Sequence, residues 1–587
     1  MSDAILAQAR THAQAGKPEQ ALQLVKRLLD KQPANHDALN IAITALCLLK
    51  RQDQAIFLVQ RAISASPLDP ELLRMYADIE KSRNRYKEAE AKYRSSLAIE
   101  PFHYETQVAV GNMLYNQEKV DEAKEYFRSI HESMPNSTVA LITYATFVEM
   151  LGDLDESVRI LKAALAHSPG NDAVLERLMV PLVRVHGEDP REIFDYHVKL
   201  GKLLTAKVSH LCTSFPNVRD PERPLRIGYC SQDFRNRSVG HFFEPILAHH
   251  DKSKFQVVLY HDVITEDDMT DRLRAHAALY VPTHRLSSEE FVATVRHHGI
   301  DILIDLSGYT GSRHAASLAA KPAPLMYTYL GYPNTTALPA MDYRIVDAFT
   351  DPPGSERLAT ESLVRMERSF LCYAPPPHAG EVAPPPRQKN GFVTFGSFNT
   401  ITKVGNPVLD TWAEILRRVP DSRLLLKAMG LSSARTQQRI LSYLNSKAIE
   451  PGRVRLLPET QGKFEHLATY GEVDIALDTW PYNGTTTTVE ALYMGVPVVG
   501  IAGNSHVSRV GVSILNNVGL ADLVATDVTD YIARAVALAA DEPRCTELRT
   551  RLRAMVGSSP LCDHADFTKR LESHFRQSWR TYCAQTS

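Results

Sequence analysis

Through the first third of the chain, apolar side chains return at helical spacing between polar ones. EAEAKYRSSLAIEP (88–101) and DEAKEYFRSIHESMP (121–135) each carry one apolar stripe that stops at a proline. From Pro224 the pattern changes to short β-rich runs alternating with helical segments: LRIGYC (225–230), FQVVLY (255–260), DILIDL (301–306) and DYRIVD (342–347). A second series follows with GFVTFGSFN (391–399), SRLLLK (422–427), RVRLLP (453–458), VDIALD (473–478) and VPVVGI (496–501). Such alternation predicts parallel sheets with crossover helices, hence two α/β lobes with a cleft between them. Two proline triplets in APPPHAGEVAPPPR (374–387) suit an extended connector between the lobes.

The helical third is also periodic. Pro33, Pro67, Pro101, Pro135 and Pro169 are each 34 residues apart, and Ala21, Ala55, Ala89, Ala123 and Ser157 stand twelve residues ahead of them. A further small column runs through Ala9, Ala77, Gly111 and Ala145, with Ile43 as its exception. Small residues let paired helices approach, and proline stops the second helix. This is the tetratricopeptide period, and it predicts an all-α solenoid. After Pro169 the register fails, with Arg191 and Leu203 where the small residue and the proline would fall, so residues 170–222 read as capping and connecting helices. A solenoid's concave groove predicts a peptide or protein partner, with scaffolding alone as the plainer use.

Charge excludes more than it assigns. Over 587 residues, 66 basic and 68 acidic side chains nearly cancel, without the basic footprint of a nucleic-acid or anionic-membrane binder. The seven cysteines, at 47, 212, 230, 372, 545, 562 and 583, form no CxxC pair or zinc-ligand spacing. The expectation is a reducing cytoplasm, with neither a disulfide framework nor a zinc site; no cofactor is expected. The first residues lack an apolar signal core, and nowhere do about 18 apolar residues run together.

Ligands of open α/β sheets sit beyond the strands' carboxyl ends, so the candidate chemistry is sought there. In LDTWPYNGTTTTVEALYMGVPVV (477–499) a strand ends at Asp478, a turn passes through Asn483 and Gly484, and Thr485, Thr486, Thr487 and Thr488 open a helix. Hydroxyls and free amides at a helix start, with about half a positive charge from the dipole, suit a pyrophosphate. A single threonine there would serve as an N-cap. Glu490, on the same helix, is placed to accept from ribose hydroxyls. Lys403, after Asn399 and its loop, is placed to neutralise a leaving diphosphate. On the first lobe, SQDFRNRSVGHFFEP (231–245) brings His241 to the cleft as a candidate proton acceptor, although a histidine beside Phe242 and Phe243 is often merely packed. DLSGYTGSRH (305–314) and YLGYPNTTALPAMDYR (329–344) read as sugar-facing loops.

The repeats followed by GYCSQDF, DLSGYT, YLGYPNTTALPAMDYR, GSFNTITK, DTWPYNGTTTTVEALYMGVPVV and SRVGVS resemble the O-GlcNAc transferase and SPINDLY family of protein glycosyltransferases. The resemblance implies a two-lobed GT-B fold, inversion at the anomeric carbon and no metal. It assigns Lys403 to the donor phosphates and leaving group, Thr486 and Thr487 to the pyrophosphate and Glu490 to the ribose. Lys463 and His466, in ETQGKFEH, match the family's lysine and histidine near the nucleotide, and His241 matches a histidine once proposed as base. The chain departs from the animal pattern at Thr485, where those enzymes have a base-stacking histidine, and at Thr469, where they have an arginine. GTTTTVEALYMGVP, GYPNTT and LPAMDYR lie closer to the SPINDLY branch, whose plant member uses GDP-fucose and has a tyrosine at the position of His241.

The expected plan is a tetratricopeptide solenoid at 1–169, capping helices at 170–222, a first lobe at 223–373, a linker at 374–390, a nucleotide-sugar lobe at 391–560 and a C-terminal helix at 561–587. The expected activity is transfer of GlcNAc from UDP-GlcNAc to Ser or Thr of a polypeptide held with help from the solenoid. Fucose from GDP-fucose is the alternative donor chemistry, and an adaptor with an inactive transferase region is the alternative of another class. Neither nucleic acid nor membrane is an expected partner, and a homodimer is compatible with this plan.

Overall fold

The structure, a computed structural model, describes residues 2–585 apart from 15, 212–213, 263–264, 312, 377–378 and 461. Cys212, Ser312, Pro377, His378 and Gln461, which fall in stretches singled out above, lie outside the described residues. Helices follow the 34-residue register in pairs: Ser2–Gln14 with Pro18–Lys31, His36–Leu48 with Gln52–Ala65, Pro70–Ser82 with Tyr86–Ile99, Tyr104–Asn116 with Val120–Ser133, and Thr138–Met150 with Leu154–His167. The periodic prolines stand two residues beyond the second helices, where a missing N–H breaks no helical bond. Ala21, Ala55, Ala89, Ala123 and Ser157 are all buried. Gly111 shows why the third column is small: a Cβ there would lie 2.5 Å from the Phe127 ring.

The compact units are Met1–Val148 and Glu149–Ser587, a division that falls within the fifth repeat. The helix Leu154–His167 has the repeat pattern but is tied to the segment after it. Lys162 bonds Glu188 at 2.6 Å and Glu192 at 3.0 Å, and Glu149 pairs with Arg177 and Arg184. Beyond it come helices Asp172–Leu182 and Pro190–Val208, the latter in a region expected to cap the solenoid.

The second unit contains two parallel sheets. The first holds β1 (Leu225–Ser231), β2 (Phe255–His261), β3 (Leu279–Pro282), β4 (Ile302–Asp305), β5 (Leu325–Thr328), β6 (Tyr343–Asp347) and β7 (Ser362–Met366), in the order β3-β2-β1-β4-β5-β6-β7. The second holds β8 (Thr394–Ser397), β9 (Arg423–Lys427), β10 (Val454–Leu457), β11 (Ile475–Leu477), β12 (Val498–Ile501) and β13 (Val524–Ala525), in the order β10-β9-β8-β11-β12-β13. Strands such as β4 and β8 are buried at every position, as helices on both sheet faces require. Four strands escape the sequence pattern: β3, β5, β7 and β13. β3 is an edge strand with no buried residue, so it shows no apolar run.

The proline-rich stretch is a strap bound along the second lobe. Arg549 donates to the Ala383 carbonyl at 2.7 Å, Arg553 donates to that of Gly380 at 2.7 Å, and Pro386–Asn390 turn into a short helix. The C-terminal helix, His564–Ala584, returns to the first lobe, where Glu572 accepts from His250 at 2.9 Å and Trp579 donates to the Asp220 carbonyl at 2.9 Å. Among the described residues no helix is long and apolar enough to cross a membrane.

Candidate active site at the strand ends

The order of each sheet reverses beside one strand pair, β1/β4 in the first and β8/β11 in the second, and such crevices receive ligands. At the second crevice Asn399 follows β8 and Asp478 follows β11, with Asn399 Nδ2 3.4 Å from Asp478 Oδ1. Asp478 organises the turn that leads to the helix Thr486–Tyr493, since its Oδ1 accepts from the N–H of Thr479 at 2.9 Å and of Gly484 at 2.7 Å. Gly484 is required by packing: a Cβ would stand 2.6 Å from the hydroxyl oxygens of both Thr487 and Thr488.

The threonine run does not act as an ordinary cap. Among the described residues, Thr485 occupies the N-cap position without a side-chain capping bond, and the buried Thr486 hydroxyl has no hydrogen-bond partner. Thr487 donates to Asn399 Oδ1 at 3.2 Å, which joins the helix start to the loop after β8. The first-turn N–H groups of any helix lack intrahelical acceptors, so this end presents donors and positive dipole.

Lys403, at the end of the short turn Ile401–Lys403, reaches the same place. Its ammonium donates to the Asn483 carbonyl at 2.8 Å and to Asn399 Oδ1 at 3.4 Å, and lies 4.2 Å from the centre of the Tyr482 ring. Burial pushes the lysine's pKa down, and the nearby Asp478 carboxylate opposes that shift. Burial likewise pushes Asp478 up. A polyanion beside Lys403 would favour its charged form.

Glu490 anchors a second cluster. Lys463 bonds its Oε1, and His466 Nε2 lies 3.0 Å from its Oε2. Burial pushes this carboxyl up, yet the His466 hydrogen bond and the Lys463 charge outweigh it and hold the group below its ordinary range. Lys427, at the end of β9, stands 2.9 Å from His466 Nδ1. An ammonium cannot accept, so Nδ1 accepts and Nε2–H donates to Glu490. Sequence reading passed over Lys427. Its signal was a cation ending the apolar run LLLK of a buried strand.

On the first lobe, the helix Ser238–His249 carries His241, whose pKa burial lowers and the Lys463 charge lowers further, while Glu490 opposes both. A cavity of about 230 Å³ between the lobes is lined from this helix by Ser238, Val239 and Phe242, and from the second lobe by Asn399, Lys403, Tyr482, Thr485, Thr486 and Thr487. Gly331 and Pro333 of the YLGYPNTT loop also line it, together with His506, which the sequence did not single out. Among the described residues no group of three or more His, Cys, Asp or Glu side chains is arranged to hold a metal.

Two parallel sheets with a cavity between their lobes, and a lysine and a helix start on the second, define the class of two-lobed glycosyltransferases. The profile of glycosyl transferase family 41 matches residues 189–374 and 387–571, and tetratricopeptide profiles match 6–70 and 114–179. The chain belongs to glycosyltransferase family 41. A tomato (Solanum lycopersicum) protein described as probable UDP-N-acetylglucosamine–peptide N-acetylglucosaminyltransferase SPINDLY is 45% identical over 375 residues, which is 63% of this chain and 40% of that protein. The Arabidopsis thaliana protein of the same description is 43% identical over 396 residues, 67% of this chain and 43% of its own length. The chain thus spans about two fifths of the curated relatives it matches. A mutant O-GlcNAc transferase of Thermobaculum terrenum, solved as a structure, matches with a TM-score of 0.73 at 30% identity, over 97% of this chain and 99% of that one.

Proposed function

We propose that this chain transfers a sugar from a nucleoside-diphosphate sugar to Ser or Thr hydroxyls of polypeptides, inverting the anomeric centre without a metal. The observation that carries the reading is the convergence of the Lys403 ammonium and the helix start at Thr485, Thr486 and Thr487 on one inter-lobe cavity. Both oppose the negative charge that grows on a departing diphosphate, a contribution worth about 3–4 kcal/mol per preorganised donor. Asp478 fixes the turn through Gly484, and Asn399 links that turn to Lys403, so the donors are in place before the reaction. Glu490 receives the ribose through the remaining lone pairs of its carboxylate, with Lys463, His466 and His241 around it.

UDP-GlcNAc is the proposed donor, supported by the descriptions of the SPINDLY relatives and by Lys463 and His466 at Glu490. Fucose from GDP-fucose is the second reading, favoured by Thr485 in place of a base-stacking histidine. The tetratricopeptide repeats supply acceptor binding. The test is incubation with a panel of labelled nucleotide sugars, acceptor sites being mapped by mass spectrometry and UDP and GDP affinities compared by calorimetry. Transfer of GlcNAc is expected, unchanged by chelation, with UDP bound at least about tenfold tighter than GDP, the equivalent of one buried group that the wrong base leaves unpaired. Tighter GDP binding with fucose transfer would replace the donor assignment. Absence of transfer from every donor would overturn the enzyme reading.

A further inference from the structure

The transfer reaction must dispose of the acceptor hydroxyl's proton, and among the described residues the one histidine that lines the inter-lobe cavity is His506. It sits at the start of the short turn His506–Ser508, after β12, and is 8% exposed. Its Nδ1 lies 2.5 Å from Asp351 Oδ2, and its Nε2 makes no hydrogen bond among the described residues. Burial pushes Asp351 up, but His506 and Arg344, 3.9 Å away, outweigh that and hold the carboxyl well below the usual carboxylate range. An ionised carboxylate can only accept, so Nδ1 carries the proton and Nε2 presents a lone pair. The Phe370 ring packs edge-on at 5.1 Å and limits rotation of the imidazole.

We propose that His506, held in this tautomer by Asp351, is the group that takes the proton from the attacking acceptor hydroxyl. This rests on the transferase reading given above. As the acceptor oxygen bonds to the anomeric carbon, the bond from that carbon to the diphosphate oxygen breaks. The bonding pair leaves with the diphosphate that Lys403 and the helix start stabilise. The hydroxyl proton passes to His506 Nε2, and the imidazolium is balanced by Asp351 before its proton returns to solvent. The ring also lines a second cavity of about 340 Å³, with Asn334, Arg344 and Trp480, which offers room for an acceptor side chain beside the imidazole. Burial lowers the pKa of His506, Asp351 and Asp347 oppose the fall and Arg344 adds to it, so the net shift is toward the neutral ring. His241, the candidate from sequence, does not line the inter-lobe cavity.

Asp351 and His506 come from different lobes, as do Ser513 with Asp347 and Arg509 with the Phe349 carbonyl, so the pair could instead serve only to dock the lobes. The experiment separates the two roles. His506→Ala, Asp351→Asn and His241→Ala are compared with the wild-type chain for transfer rate at saturating donor, pH profile, nucleoside diphosphate affinity and rescue by added imidazole. His506→Ala is expected to lower kcat by about a hundredfold or more, to lose the acid limb of the wild-type profile, and to regain at least about tenfold with imidazole. Its nucleotide affinity stays within about twofold, and Asp351→Asn loses rate because an amide no longer fixes the tautomer. The assignment is overturned if His506→Ala keeps its rate, if its loss resists imidazole and is matched by lost nucleotide affinity, or if the acid limb disappears in His241→Ala instead. A wild-type chain that transfers no sugar overturns the function reading and this assignment with it. Wild-type transfer with an unaffected His506→Ala overturns this assignment alone.

Discussion

Lys403 concentrates most of the site's electrostatics in one side chain. Its bonds to the Asn483 carbonyl and Asn399 draw together the loop after β8 and the turn after β11, and the Tyr482 ring lies 4.2 Å beneath the ammonium. Burial penalises the charge, so the ammonium is retained by Asp478 and by any phosphate that arrives. Lys403→Ala is expected to reduce kcat at saturating donor by two to three orders of magnitude, which corresponds to about 3–4 kcal/mol. Circular dichroism should remain that of the wild type, because the alanine leaves both strand ends intact. A rate close to wild type would remove Lys403 from the leaving-group role.

Among elements, the helix His564–Ala584 is the one whose importance its position in the chain conceals. It follows the second lobe in sequence yet completes the first, with Leu571, Phe575 and Trp579 fully buried. Trp579 also donates its indole N–H to the Asp220 carbonyl, and Arg576 donates to the Arg223 carbonyl at 2.9 Å just before β1. Trp579→Ala is expected to cost about 3–5 kcal/mol by opening a large cavity. Denaturant titration of the purified variant measures this, and a cost below about 1 kcal/mol would show that the helix is dispensable to the first lobe.

For the whole molecule, the division at 148/149 changes how catalysis and recognition should be separated. A chain starting at Glu149 retains the helix Leu154–His167 and its Lys162 pairs with Glu188 and Glu192, whereas one starting at residue 170 leaves those carboxylates unpaired. The first is expected to bind nucleoside diphosphate like the full chain while losing transfer to full-length acceptors, and the second to melt at lower temperature. Equal modification of the same acceptors by the shortened and full chains would remove the solenoid from acceptor binding. Stability should also depend on pH. Burial lowers His186, His197 and His261 from 6.5 to about 4. Between those values the unfolded chain binds protons that the native state refuses, so stability is complete above pH 6.5 and falls as pH drops toward about 4. Tm measured across that range should decline on acidification, and a Tm that rose would contradict the assignment of these rings as neutral and buried.

The sequence by itself determined what local rules can determine. A strict 34-residue spacing of small residues and prolines specifies paired helices, because each repeat meets the same steric demands. Apolar runs ended by Asn399 or Asp478 placed the second crevice, since parallel strands buried on both faces leave little else to read. The threonine run and Lys403 were legible because they follow those strands directly. Only the tertiary structure decided the rest. Lys427 joins His466, and Asp351 joins His506, across 39 and 155 residues, separations over which no periodicity operates. The assignment of the fifth repeat's second helix to the later unit, and the return of the last helix to the first lobe, depend on which surfaces remain uncovered once the sheets have formed. Packing of already formed elements sets those surfaces, and the local pattern of apolar and polar residues does not encode it.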